Sequence, residues 1–100
     1  MYKDMSKYSH LKIGKLKVEK TLVDRNEFRR ITIHNRSGKI VSIKNYKNNK
    51  LSGKIKCYWP NGEVHLKGQY INGMRSGTFT TYSKKGDILL EEKYSKLEKK

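Results

Sequence analysis

The sequence has one cysteine and one proline, and its acids are outnumbered 24 to 9 by Lys and Arg. A lone Cys57 can form no internal disulfide, so the chain is not a stapled secreted miniprotein and a reducing compartment fits. No apolar run approaches the length of a membrane span, and no apolar signal segment follows the first residues. These absences lead to the expectation of a soluble, cytoplasmic protein. No Ser/Gly-rich or Pro-rich spacer divides the 100 residues, so a single domain over 1–100 is expected. Hydrophobic residues make up only 34% of the chain and the net charge is +15, a balance that by itself leans toward disorder.

The repeat pattern overrules that lean. Gly38, Gly62 and Gly86 are spaced by 24, as are Tyr46, Tyr70 and Tyr94. His34, Tyr58 and Tyr82 obey the same step, and so do Ile31, Ile55 and Phe79. A further step back reaches Gly14, Leu16 and Leu22. Disordered chains do not hold Gly and Tyr in register, and a fixed period marks a repeat architecture. The units run 27–50, 51–74 and 75–98 behind a degenerate unit at 3–26, with a basic tail over 95–100.

Within a unit the chemistry is that of paired strands. Ile31 and Ile33 alternate with Arg30 and Thr32, and Leu16, Val18 and Leu22 alternate with polar residues, the period of a half-buried strand. Asn61-Gly62 is the strongest hairpin signal, with Val23–Glu27, Ser37-Gly38, residues 47–50, Asn72-Gly73 and Lys85-Gly86 as the other bends. Ile40 and Tyr46 are expected inward, Val64, Leu66, Gly68 and Tyr70 on one face, and Ile88, Leu90 and Tyr94 likewise. Residues 1–14 read as an irregular capping strand. Residues 88–99 have a weak helical alternative, which the match to Val64–Tyr70 overrules. The fold class is therefore all-β: an elongated antiparallel meander of about eight strands built from 24-residue hairpins. At about 4.8 Å per strand such a sheet is about 35–40 Å long.

Gly53, Ile55, Tyr58, Asn61-Gly62, Tyr70 and Asn72-Gly73, followed by Gly77, Phe79, Tyr82, Gly86 and Tyr94, resemble the MORN repeat in its bacterial variant form. The likeness covers about residues 27–94. It departs at Ile31 and Ile55, where the family often has an aromatic, at His34 in place of Tyr and at Asn49 in place of Gly. What the resemblance implies is a ladder of β-hairpins with a binding or scaffolding role and no catalysis. Bacterial relatives of that family are often described as antitoxins, and eukaryotic ones are linked with membranes and phosphoinositides.

Catalytic and metal chemistry find little support. His10 and His34 fall one unit apart, about 10 Å across two strand spacings, too far to share a metal directly. His65 lies on the other strand type, and no Cys/His spacing suits zinc. The nine carboxylates are scattered, mostly at turns, and no phosphate loop or nucleophile–base–acid order is present. No enzyme activity, cofactor or metal is expected. Tyr46, Tyr70 and Tyr94 read as a structural stack. Tyr58 and Tyr82 stand on the opposite face from Ile55 and Phe79 and are candidate aromatic anchors. Trp59, which has no counterpart in the other units, is either a packing plug or an interface anchor.

Charge carries the functional signal. Residues 1–50 hold 14 basic and 4 acidic residues, net +10, and residues 51–100 hold 10 and 5, net +5. Lys15, Lys17, Lys20, Arg29, Arg30, Arg36, Lys39, Lys44, Lys47 and Lys50 fall on strand exteriors and turns; all but the last two, with Lys54 and Lys56, are the ten candidate partner-binding cations. Stepping by one unit aligns Lys12 with Arg36, Lys15 with Lys39 and Lys20 with Lys44, so rows of cations along the sheet are expected. Such an excess draws anionic partners. The first expectation is a partner protein with an acidic or nucleic-acid-binding surface, or a ribonucleoprotein, bound and inhibited as by an antitoxin or a phage anti-defence protein. The alternative is direct, sequence-independent nucleic-acid binding. An anionic membrane surface comes third, since no inserting helix or lipidation signal is evident.

Overall fold

The computed structural model describes residues 13–94, and among them the chain is one open antiparallel sheet without a helix. Its strands are β1 (Ile13–Val23), β2 (Asn26–Asn35), β3 (Ile40–Lys47), β4 (Lys50–Leu51), β5 (Gly53–Tyr58), β6 (Val64–Ile71), β7 (Met74–Tyr82) and β8 (Ile88–Tyr94). They lie in the order β1-β2-β3-β5-β6-β7-β8, with the two-residue β4 paired to β3 ahead of β5. Extents are 46 × 39 × 21 Å. The expected capping strand, apart from its last residues, and the expected tail at 95–100 lie outside the described residues, as do His10 and Lys12. The stretch for which a helix was the alternative is strand from Ile88 to Tyr94.

The 24-residue step is a property of the backbone. Asp24-Arg25, Asn48-Asn49 and Asn72-Gly73 all have positive φ, 49° and 69°, 48° and 69°, and 49° and 85°. Each pair closes a two-residue hairpin, Val23 opposite Asn26, Lys47 opposite Lys50 and Ile71 opposite Met74. Two left-handed residues in sequence are the geometry of a type I′ turn, whose twist matches that of the strands it joins. The other three hairpins turn at Gly38, Gly62 and Gly86, with φ of 90°, 93° and 97°. There the glycine N–H donates three residues back, to the carbonyls of Asn35, Trp59 and Ser83, at 3.0, 2.9 and 3.0 Å. Gly62 alone is left-handed in its turn, so Asn61-Gly62 is the end of a three-residue loop and not a two-residue hairpin.

Each of these glycine turns is followed by a bulge. Val41, His65 and Leu89 are the extra residues, again 24 apart. A bulge shifts the residues beyond it onto the other alternation. Ile40, Val64 and Ile88 therefore stand opposite His34, Tyr58 and Tyr82, and not on the side of Tyr46, Leu66 and Leu90 where simple alternation places them. A second irregularity follows Ser76: between the pairs Gln69–Ser76 and Lys67–Thr80, β7 carries two residues more than β6. Ser52, with Gly53 after it, holds the equivalent place and alone separates β4 from β5, and there too two extra residues oppose β3. In the first unit the corresponding residues are Phe28 and Arg29, and the β1–β2 ladder runs through them without a shift.

Paired residues share a face, so the register sorts the chain into two surfaces. One face carries Ile31, Ile33, Tyr46, Ile55, Cys57, Leu66, Tyr70, Phe79 and Tyr94. The other carries Arg30, Thr32, Ile43, Asn45, Lys56, Lys67 and Thr80. The apolar face holds the core, which is thin: Ile55 and Phe79 are its buried hydrophobic side chains. Phe79 meets Tyr70 and Tyr94 edge-on, both at 5.5 Å between centroids. Arg75 lies 4.7 Å from the Phe79 centroid and donates to the Tyr94 hydroxyl at 2.9 Å. Tyr70 and Tyr94 thus brace the one fully buried ring among the described residues, and the expected stack of tyrosines is interleaved by Phe79.

Candidate functional site

The register divides the ten candidate cations. Lys15, Lys17, Arg30, Lys54 and Lys56 lie on the face opposite the core, all exposed. Lys20, Arg29 and Lys44 lie on the apolar face, and Arg36 and Lys39 lie in the turn between β2 and β3. The single continuous set is therefore smaller than expected. Lys47, Lys67 and Lys93 join it, since they pair with Phe28, Lys56 and Thr78 on that side. Both Lys67 and Lys93 were findable from alternation, the first between Leu66 and Gly68 and the second beside Tyr94, on the unshifted side of the Leu89 bulge.

The two faces differ in how their charges are compensated. On the apolar face Arg29 forms an ion pair with Glu27, and Lys20 lies 4.0 Å from the same carboxylate. The Arg29 hydrogen bond, with the charges of Arg29 and Lys20, holds the Glu27 carboxyl below its usual range although desolvation opposes it. Arg75 lies 3.8 Å from Glu92. On the basic face the described residues form one ion pair, Lys17 with Glu19 at 4.0 Å.

One row of paired residues crosses the basic face: Lys17, Thr32, Ile43, Lys56, Lys67, Thr80 and Glu91. Lys56 and Lys67 are immediate neighbours in it. Like charges directly opposite on one face destabilise a sheet. Beside them Lys54 is two residues along β5, and Arg30 is held by Nε donation to Asn45 Oδ1 at 3.2 Å. Asn45 in turn donates from Nδ2 to the Lys54 carbonyl at 2.7 Å, which bridges β3 to β5 where the ladder between them ends.

Three hollows open along this face. The first, about 540 Å³, is bordered by Thr21, Phe28, Arg30 and Asn45. The second, about 200 Å³, lies between Arg30, Asn45, Lys54 and Lys56. The third, about 410 Å³, lies between Lys54, Lys56, Lys67 and Thr78. Adjacent hollows share residues, Arg30 and Asn45 in one case and Lys54 and Lys56 in the other, so they form one trough across the strands.

Of the aromatic candidates, Tyr58 and Tyr82 are half-buried on this face, and Lys67 Nζ lies 5.7 Å from the Tyr82 ring centre. Trp59 is a packing plug. Its ring stacks on His65 at 3.8 Å, its Nε1 donates to the Tyr82 carbonyl at 2.9 Å, and Lys84 Nζ lies 5.4 Å from its centre. Asn61 beside it donates to the Lys84 carbonyl at 2.9 Å, so the β5–β6 turn is fastened to the β7–β8 turn.

Cys57 is half-buried on the apolar face; burial pushes its thiol up, with Lys44 pulling the other way. Among the described residues no three His, Cys, Asp or Glu side chains gather to hold a metal ion. No family model, no curated protein and no solved structure matches the chain.

Proposed function

We propose that this chain is a non-enzymatic binding protein that holds, and thereby inhibits or neutralises, an acidic partner protein on its basic face. The observation that carries this is the unequal compensation of charge. The apolar face pairs most of its cations with carboxylates, whereas the opposite face leaves Arg30, Lys54, Lys56 and Lys67 without an ion pair among the described residues. An excess field of one sign steers oppositely charged partners and suppresses like-charged ones. The same argument narrows the expectation. A groove that binds nucleic acid is itself cationic and would repel this chain, so an acidic protein surface is retained and the nucleic-acid-binding groove is dropped. The MORN likeness supports the same kind of role, a module that binds.

Protein is favoured over nucleic acid by the state of Trp59. Single strands are held by free aromatic faces as well as by cations. The indole here is already stacked and hydrogen-bonded within the sheet.

Affinity capture from the native host tests the reading, with Lys17→Glu/Lys54→Glu on the basic face and Lys20→Glu/Lys85→Glu off it as a charge-matched control. A stoichiometric acidic protein that survives nuclease treatment, and is lost only with the first variant, is the expected result. Loss of the captured material on nuclease treatment, or sub-micromolar binding of generic DNA or RNA at physiological salt, would overturn it.

A further inference from the structure

We infer that the trough on the basic face is a subsite for an extended acidic peptide segment, laid across the strands from β2 to β7 with its carboxylates against Arg30, Lys54, Lys56 and Lys67. This rests on the reading of the basic face as a protein-binding surface, and names what part of the partner enters it.

Shape, spacing and charge agree on the occupant. From Arg30 on β2 to β7 the trough runs over four strand spacings, about 19 Å, which is the reach of about six residues of extended chain. It is too open to enclose a small molecule and too narrow in its middle hollow, about 200 Å³, for a helix with its side chains. Lys54, Lys56 and Lys67 adjoin one another in its middle, Asn45 stands between them and Arg30, and Gln69 and Thr78 are the neutral groups toward β7. An extended chain presents side chains to alternate sides, so acidic residues at every second position meet the cations while the intervening ones face away.

The pair of lysines at the centre gives the strongest argument. Lys56 and Lys67 are Cα partners on one face, and among the described residues neither has a carboxylate within 4 Å. Their mutual repulsion is a cost to the free sheet that a bound carboxylate between them removes. Glu19, the partner of Arg30 on β1, marks the other end of the trough and repels an acidic chain, so the peptide starts at Arg30 and extends toward β7.

Fluorescence anisotropy of a labelled octaglutamate at physiological salt tests the inference, with octaglutamine and an eight-nucleotide oligothymidylate as comparison probes. Lys56→Gln/Lys67→Gln removes the centre of the trough. Lys15→Gln/Lys93→Gln removes the same charge from the same face outside it, and both variants are checked for wild-type circular dichroism. Octaglutamate is expected to bind, with a Kd raised about tenfold by the trough variant and no more than about twofold by the other. Equal losses in the two variants would overturn the trough while leaving the basic face as the binding surface. Failure of octaglutamate to bind at all would overturn the trough, and the capture experiment would decide the wider reading separately. Tighter binding of the oligothymidylate than of octaglutamate would overturn both in favour of nucleic acid.

Discussion

Gly68 faces Phe79 so closely that a methyl group on it would lie 2.4 Å from the ring. The ring covers the bare backbone of β6, and the absence of a side chain is what lets it lie flat between Tyr70 and Tyr94. In the unit before, Lys44 occupies the place of Gly68 and the smaller Ile55 occupies the place of Phe79. The two positions change together because they share one volume.

Gly68→Ala is therefore expected to destabilise the fold by about 1–3 kcal/mol through overpacking. Phe79→Ala is expected to cost about 3–5 kcal/mol, since it empties the most deeply buried large side chain among the described residues. Urea denaturation followed by circular dichroism measures both. A Gly68→Ala variant as stable as the parent would mean that the ring does not sit where described.

Arg25 holds φ of 69° in a turn whose counterparts are Asn49 and Gly73. A left-handed conformation costs a residue with a Cβ about 1–2 kcal/mol, and glycine escapes that cost. Arg25→Gly is expected to stabilise the protein by about 1 kcal/mol, less the entropy that glycine adds to the unfolded chain. The thermal midpoint should rise by several degrees. Gly73→Arg is expected to lower it, which makes the pair a check on the turn type.

Removing one like charge relieves the Lys56–Lys67 contact. Lys56→Glu is expected to stabilise the sheet by about 0.2–1 kcal/mol while weakening binding of an acidic partner. The gain should shrink at 1 M salt, where exposed charges are screened. A variant that loses stability would show that the two side chains diverge enough to avoid each other.

The thiol of Cys57 gives a pH signature. Its folded pKa lies above the ordinary 9.0, because burial disfavours the thiolate. The neutral thiol's contribution is fully present below 9.0 and is lost as pH rises through the folded value. The stability difference between the parent and Cys57→Ala is therefore constant from pH 6 to 8 and falls above 9. Alkylation at pH 7 should be slower than for free cysteine, since the thiolate is the nucleophile.

The architecture was legible because the turns are written in residues with special backbone freedom. Gly38, Gly62 and Gly86 sit at equivalent bends, and the 24-residue step reappears in the two-residue turns and in the bulges. The faces were less legible. Alternation puts Ile40, Val64 and Ile88 inward, but the single-residue bulges move them. The rows of charge failed for a related reason. Stepping by 24 aligns Lys20 with Lys44, yet Lys44 pairs with Ile31, which pairs with Val18. The discrepancy of two residues is the two extra residues that follow Leu51 against β3 and Ser76 against β6, which β2 does not carry against β1. The cross-strand row through Lys17, Lys56 and Lys67 exists only in the shifted register, so no residue spacing announces it.

The two-residue insertion recurs in the second and third units and fixes the same offset in both, so residues 51–74 form a block that begins and ends in the same alignment. A chain carrying that block twice would insert two more strands without disturbing the old pairings, and would repeat Lys54, Lys56 and Lys67 with them. Reach along an acidic ligand would then be set by the number of blocks, and the span of what this scaffold can grip becomes a matter of gene duplication alone.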